Sequence, residues 1–237
     1  MKINKSAHMI TRLNFKTIKG AYIAGIAGIG ALAANYIIYV VQVAHGEDLT
    51  GNVGVSAGWG VWALPVAAAI IISAVNFRRI MSLGGNRRDY FKGTFMTYVI
   101  LCAIASLLGL VIYFALDIPF AAAGVYGGII SVPDVFGWNA YGPAVFFLQQ
   151  YAFLLLTAFF THTFCALQGK WYGWVVNAAF IAGIPVFSAI EPLRNILAGY
   201  FYLIFFQPNP LLQILTCLVI GFAFYMLSKP VYARKPI

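Results

Sequence analysis

Six long apolar runs, separated by short polar breaks, dominate the hydropathy pattern: Gly20 to Val43, Val53 to Val75, Thr94 to Leu116, Pro143 to Cys165, Gly173 to Ile190 and Leu211 to Leu227. A helix needs about 20 apolar residues to cross the hydrocarbon core of a bilayer. The pattern therefore predicts an all-α integral membrane protein with six transmembrane helices, forming one domain over residues 1–237. Two further segments are apolar without being spans. Residues 1–19 carry Lys2, Lys5, Arg12, Lys16 and Lys19 with interspersed Ile3, Met9, Ile10, Leu13, Phe15 and Ile18. That mixture predicts an interfacial helix, apolar side toward the bilayer and basic side toward anionic headgroups. Residues 191–210 are too apolar for an ordinary loop but are bounded by Glu191 and by Pro208-Asn209-Pro210. They predict a re-entrant outer hairpin between spans 5 and 6.

Within the spans, small residues recur four apart in the first, as in Ala21 and Gly25 or Ala24 and Gly28. This spacing lets helix backbones approach closely in lipid, either in this chain or against a second copy. Trp59 and Trp62 suit an interfacial end of span 2, and Pro65 predicts a kink. Gln149 and Gln150 are the adjacent polar pair placed well inside a span, and helix cross-linking is their expected role. His162 reads as a helix-packing histidine. Cys102, Cys165 and Cys217 lie in or beside apolar runs and read as small buried side chains.

Composition agrees: 62% of residues are hydrophobic and 9% charged, against about a quarter charged in soluble domains. The apolar run after residue 19 is too long for the core of a signal peptide. The net charge of +9 does not point to nucleic acid, because its distribution is one-sided. With the N-terminus placed in the cytoplasm, fourteen of fifteen basic residues fall inside and only Arg194 outside. Five of six acids fall outside, and only Asp89 inside. The asymmetry predicts both termini in the cytoplasm of a multi-pass protein. The loops of Ala44 to Asn52 (with Glu47 and Asp48) and Asp117 to Gly142 are then external, and the Ala166 to Tyr172 loop with Lys170 is internal.

The chain holds no P-loop, HExxH or CxxC pattern. A GxSxG match, Gly54 to Gly58, opens a span instead of joining a strand to a helix, so it reads as small residues for packing. Energy for any transport therefore enters from outside the chain, and the exposed basic stretch Asn76 to Gly93 is where it would enter. Gly84 and Gly85 permit a sharp turn. Asn86 is positioned to cap a short helix beginning Arg87-Arg88-Asp89-Tyr90-Phe91. That helix would offer Arg87, Arg88 and Lys92 to an acidic partner, and Tyr90 and Phe91 to an apolar groove.

The run Leu83-Gly84-Gly85-Asn86-Arg87-Arg88-Asp89-Tyr90-Phe91-Lys92-Gly93-Thr94 resembles the segment between spans 2 and 3 of small ABC-2-type permeases of Gram-positive bacteria. In size and layout the chain is also similar to exporters of amphipathic peptides such as phenol-soluble modulins. The resemblance implies a permease of the bacterial cell membrane that pairs with a second permease chain, identical or not. It implies two copies of a separate ATPase subunit, which bind ATP and Mg; this chain itself would hold no cofactor. Arg87, Arg88, Asp89, Tyr90, Phe91 and Lys92 would form a coupling helix in a groove of the ATPase, presented by the Gly84-Gly85 turn. Spans 2 and 5 would line the path, bringing Trp62, Pro65, Phe180, Ile184 and Phe187 toward an amphipathic or lipophilic cargo, a peptide first. Two other readings stay open: a membrane immunity or sensor protein that binds a toxic peptide, and an exporter of a lipid or small lipophilic molecule.

Overall fold

The computed structural model describes residues 5–46, 53–123, 128–168 and 171–233. Helix α1 (Lys5–Thr17) leads through Ile18 into α2 (Lys19–Ala44). A short strand β1 (Val53–Val55) precedes α3 (Ala57–Ser82), and α4 (Arg87–Ala122) follows after a four-residue turn. Then come β2 (Gly128–Ile130), α5 (Val132–Phe136), a 3₁₀ turn at Trp138–Tyr141, α6 (Pro143–Leu167) and α7 (Trp171–Ala189). Helices α8 (Glu191–Phe206) and α9 (Pro210–Ala233) complete the described chain. Among the described residues five helices, α2, α3, α4, α6 and α9, are long and apolar enough to cross a membrane. A sixth crossing results if α7 and α8, bent by 111° at Ile190, form one interrupted span. The acids Glu47 and Asp48, expected on the outer side, and the basic Lys2, Lys170, Arg234 and Lys235 lie outside the described residues.

The helices meet through backbone approach and hydrogen bonds, as they must where lipid tails are as apolar as the side chains. Helix α2 runs antiparallel to α3 across glycines. A Cβ on Gly28 would lie 3.0 Å from the Gly60 carbonyl oxygen, and one on Gly25 3.1 Å from the Leu64 Cβ. Gly25 and Gly28 of the first span thus serve a contact within the chain, whereas Ala27, Gly30, Ala31 and Ala34 are exposed. Helix α4 lies antiparallel to α6 and to α9. Tyr98 OH pairs with His162 Nδ1 at 2.8 Å, Ser106 donates to the Phe147 carbonyl at 2.8 Å, and the Gln150 amide lies against Gly109. On the other side, Tyr225 OH donates to the Phe91 carbonyl at 2.6 Å.

Span boundaries differ from the sequence expectation, with the last helix running to Ala233 instead of Leu227 and three further differences around spans 2 and 3. Residues Val53–Val55 are not the start of span 2 but a strand paired in parallel with Gly128–Ile130. Helix α3 does not stop at Val75; it continues to Ser82 and absorbs half of the expected linker. Helix α4 does not end before Asp117; it runs on to Ala122, because Ile118 to Ala122 are themselves helix-compatible and apolar. Both extensions pass through a π-helical turn, Ile72–Asn76 and Tyr113–Asp117, and a third lies at Tyr202–Phe206. The Phe77 N–H takes the Ile72 carbonyl in the i→i−5 pattern, and Tyr90 OH donates to the same carbonyl at 2.8 Å. Ser73 Oγ donates one turn back along its own helix, to the Ala69 carbonyl at 2.6 Å. Gln213 and Trp138 donate to the Ile204 and Phe205 carbonyls at 2.9 and 3.2 Å. Pro65, expected to kink span 2, lies where the helix changes from 3₁₀ to α geometry. It sits in the first turn after a 3₁₀ segment, Ala57–Trp62, where its missing N–H is tolerated.

Strand β1 also reverses one premise about Gly54 to Gly58, since a strand does precede Ser56 and a helix does follow it. Ser56 nevertheless has an unstrained backbone (φ −62°, ψ 138°), is 1% exposed, and caps the following 3₁₀ turn by accepting from the Gly58 N–H. Its hydroxyl donates to Asp117 Oδ2 at 2.6 Å, while Tyr36 OH donates to Asp117 Oδ1. Asp117, buried on α4, therefore ties α2 and the start of α3 to one end of the bundle. Asp134 is anchored beside it by Ser131 and by Tyr113 OH at 3.0 Å.

Helix α1 packs on protein with the face expected to rest on lipid. Ile10, Thr11 and Asn14 are buried, and Ile18, just beyond the helix, is too, whereas Met9 is 70% exposed. Thr11 Oγ1 donates to the Gly93 carbonyl at 3.0 Å, and a Cβ on Gly93 would meet the Ala7 carbonyl oxygen at 2.7 Å and Ile10 Cβ at 2.8 Å. Asn14 Nδ2 donates to Thr97 Oγ1 at 3.1 Å, and Asn76 Nδ2 to Asn14 Oδ1 at 3.1 Å and to Thr17 Oγ1 at 2.6 Å. Gly93→Val is therefore expected to detach α1 while leaving the spans folded. Hydrogen exchange in detergent should rise at least tenfold over residues 5–17 and stay within twofold over α6; unchanged exchange in α1 would refute the docking.

Candidate functional site

The basic stretch folds as one tight turn between two spans, not as a loop bearing its own helix. Helix α3 ends with Leu83 as its cap and Gly84 at φ +80°. The Gly84 N–H reaches the Met81 carbonyl and the Gly85 N–H that of Ile80, both at 3.0 Å. These are the two bonds of a Schellman motif, which satisfies helix-end carbonyls and favours glycine at the left-handed position. Gly85 passes so close to Ile80 that a Cβ would lie 2.7 Å from its carbonyl oxygen. Asn86 is extended (φ −82°, ψ 132°) and its side-chain oxygen accepts from the Arg88 N–H at 2.9 Å, so it caps the next helix as its residue type predicts. That helix is α4 itself. The expected short coupling helix is the first two turns of span 3, because nothing after Phe91 interrupts the helical pattern.

The six residues expected to meet a partner divide. Arg87 is half-buried and its Nη1 donates to the Tyr232 and Ala233 carbonyls, each at 2.6 Å. It caps the end of α9, where a cation also complements the helix dipole. Tyr90 is fully buried, packed on Phe77 and Tyr232 at ring-centroid distances of 5.2 and 5.4 Å. Phe91 is half-buried and stacks on Tyr225 at 4.3 Å. Both aromatics face this chain's own bundle instead of an outside groove. Asp89 is half-buried, and Arg88 and Lys92 are exposed. Arg78 and Arg79, on the last turns of α3, are exposed as well and extend the patch. The signal for them was present: the two arginines belong to the same basic stretch, just ahead of a helix-stop glycine pair.

At this end of the bundle the described residues hold ten basic side chains and one acid, Asp89. At the opposite end lie Asp117, Asp134, Glu191 and Arg194. Among the described residues no three His, Cys, Asp or Glu side chains gather as a metal site.

The residues expected along a cargo path are not brought to one depth. Trp62 packs on Phe153 of α6 at 4.7 Å, and Pro65 is buried in α3. Phe180 packs on Phe160 and Phe164, two and three turns further along α6, at 5.5 and 5.1 Å. Phe180, Ile184 and Phe187 are 47%, 50% and 37% exposed on α7. Sequence reasoning missed Asp117 as a buried group; the apolar run continuing past it, Ile118 to Ala123, was the available sign. Comparison with family models, with curated proteins and with solved structures yields no match to this chain.

Arg87 and Arg88, adjacent and chemically alike, are expected to respond unequally to truncation. A charge-assisted hydrogen bond contributes about 1.5–3 kcal/mol. Arg87→Ala should lower the melting temperature in detergent and raise hydrogen exchange at the end of α9. Arg88→Ala, on the surface, should change stability by less than about 0.5 kcal/mol.

Proposed function

We propose that the chain is the membrane permease subunit of an ATP-binding cassette exporter, with its basic end in the cytoplasm and its ATPase a separate protein. One observation carries the reading: Arg78, Arg79, Arg88 and Lys92 are exposed around a turn whose backbone is locked by the Gly84-Gly85 motif and the Asn86 cap. A cationic patch on a rigid element between two spans can transmit a push from a soluble partner into the bilayer; a flexible loop cannot. The resemblance of Leu83 to Thr94 to the permease segment supports the same assignment, and the positive-inside distribution supports the orientation. Contact with the ATPase is made by Arg88 and Lys92, aided by Arg78 and Arg79. Arg87, Tyr90 and Phe91 instead fasten the patch to α9, so that movement of the turn is passed to spans 3 and 6. Cargo is amphipathic and follows an apolar face that includes Phe180, Ile184 and Phe187, completed by a second permease chain.

The test is purification in mild detergent from the native membrane. The wild-type chain is expected to bring down a stoichiometric ATPase, and Arg88→Glu/Lys92→Glu to lose it at least tenfold without a change in melting temperature. Retention of the ATPase by that variant would overturn the coupling role. Absence of any ATPase, with protection of cells from a toxic peptide, would replace transport by immunity.

A further inference from the structure

We propose that Asp117 is a proton-operated latch at the end of the bundle opposite the basic patch: neutral, it holds α2 and the start of α3 against α4, and ionised, it lets them part. Asp117 is 3% exposed and closes the π turn Tyr113–Asp117. Tyr36 OH, from α2, donates to its Oδ1, and the Ser56 hydroxyl, between β1 and α3, donates to its Oδ2 at 2.6 Å. The same two hydroxyl oxygens accept the N–H groups of Ala57 and Gly58 at 3.2 and 2.9 Å. Three segments are therefore joined through one carboxyl group, so its protonation state acts on all of them together.

The surroundings oppose a negative charge at this point. The ionisable groups that face Asp117 are Tyr36 from α2, Tyr113 from its own helix and Asp134 from α5. Ser56 and the 3₁₀ turn Ala57–Trp62 add none. Lys, Arg and His are absent from this set, and the stretches 47–52 and 124–127, beside the two strands in sequence, contain none. Asp134, held by Ser131, Tyr113 and Asn139, is a like charge nearby. A carboxylate buried without a cation and near a second acid is disfavoured against its neutral form, and two hydroxyl donors offset only part of that. Water offers the ion more donors than the site does, so ionisation draws Asp117 out of the contact. The neutral acid stays: its O–H donates to one hydroxyl oxygen and its carbonyl oxygen accepts from the other. The latch is thus fully closed at acid pH and is lost as pH rises through the titration of Asp117. None of this depends on coupling to an ATPase.

The test is hydrogen exchange of the full-length chain in neutral detergent between about pH 4.5 and about pH 8, corrected for the intrinsic pH dependence of amide exchange. Protection over residues 53–62 should fall about fivefold or more as pH rises, while that of α6 stays within about twofold. Asp117→Asn, whose amide supplies the donor and acceptor of the neutral acid, should keep the acid-pH protection throughout. Ser56→Ala takes a donor from the carboxylate and should move the midpoint of the transition to higher pH by about half a unit or more. Asp134→Asn removes the like charge and should move it to lower pH. These two opposite shifts decide the matter should Asp117→Asn fold poorly. Protection that is independent of pH or rises with it, a pH response that survives in Asp117→Asn, or a midpoint unmoved in both other variants would overturn the proposal.

Discussion

A small polar knot where three helices cross governs the basic end of the molecule. Asn14, Thr17, Asn76 and Thr97 come from α1, α3 and α4, and each supplies a donor or acceptor to another. In a bilayer, apolar side chains gain little by leaving lipid for protein, so hydrogen bonds and close backbone approach decide which helices touch. The knot lies one turn from Gly93, where α1 and α4 are at backbone distance. Together they fix the roll of α1, and the roll decides that its lysines and arginine look outward. They also fix the lower part of α3, from which Arg78 and Arg79 project. The charge distribution of this surface follows from a few neutral, buried amides and hydroxyls.

Much of this was legible in the sequence for a simple reason: hydrocarbon thickness and positive charge act on long stretches, and long stretches average out local detail. The six apolar runs and the collection of basic residues at one end needed no more than that. Asn86 and Gly84 were legible because each residue type suits one backbone state. What escaped was set by single contacts. An apolar run continuing through Asn76 or Asp117 reads equally as the end of a span or its continuation, and the partners that hold the continuation, Tyr90, Asn14 and Tyr36, come from elsewhere in the sequence. The β1–β2 ladder joins segments separated by spans 2 and 3, and three residues of Val-Gly-Val carry too little signal to announce it. Tyr90 and Phe91 look like contact residues beside so many cations; their inward orientation is decided by Phe77, Tyr225 and Tyr232.

Polar side chains within the spans divide into those that serve the backbone and those that do not. Tyr90 and Gln213 donate to carbonyls of the π turns at Ile72 and Ile204, and Ser73 to the Ala69 carbonyl of its own helix, so their presence in apolar helices follows from folding. The same physics explains Thr163, whose hydroxyl donates to the Phe224 carbonyl at 2.8 Å and joins α6 to α9. Gln149, Gln150 and Gln213 each keep a buried Oε1 with no hydrogen-bond partner among the described residues. Gln150 is held by its fit against Gly109, which places shape ahead of hydrogen bonding at that crossing.

The π turn at Ile72–Asn76 acts as a phase shifter. It carries one residue more than an α turn of the same rise, so everything beyond it is rotated by about a quarter of a circle relative to an unbroken helix. With that surplus residue Asn76 points into the knot, and Phe77 and Ile80 face the bundle while Arg78 and Arg79 face away. Without it the same sequence would turn a different pair of side chains toward solvent. The angular position of the cationic patch is therefore stored in the helix count of span 2, a quantity independent of the arginines themselves.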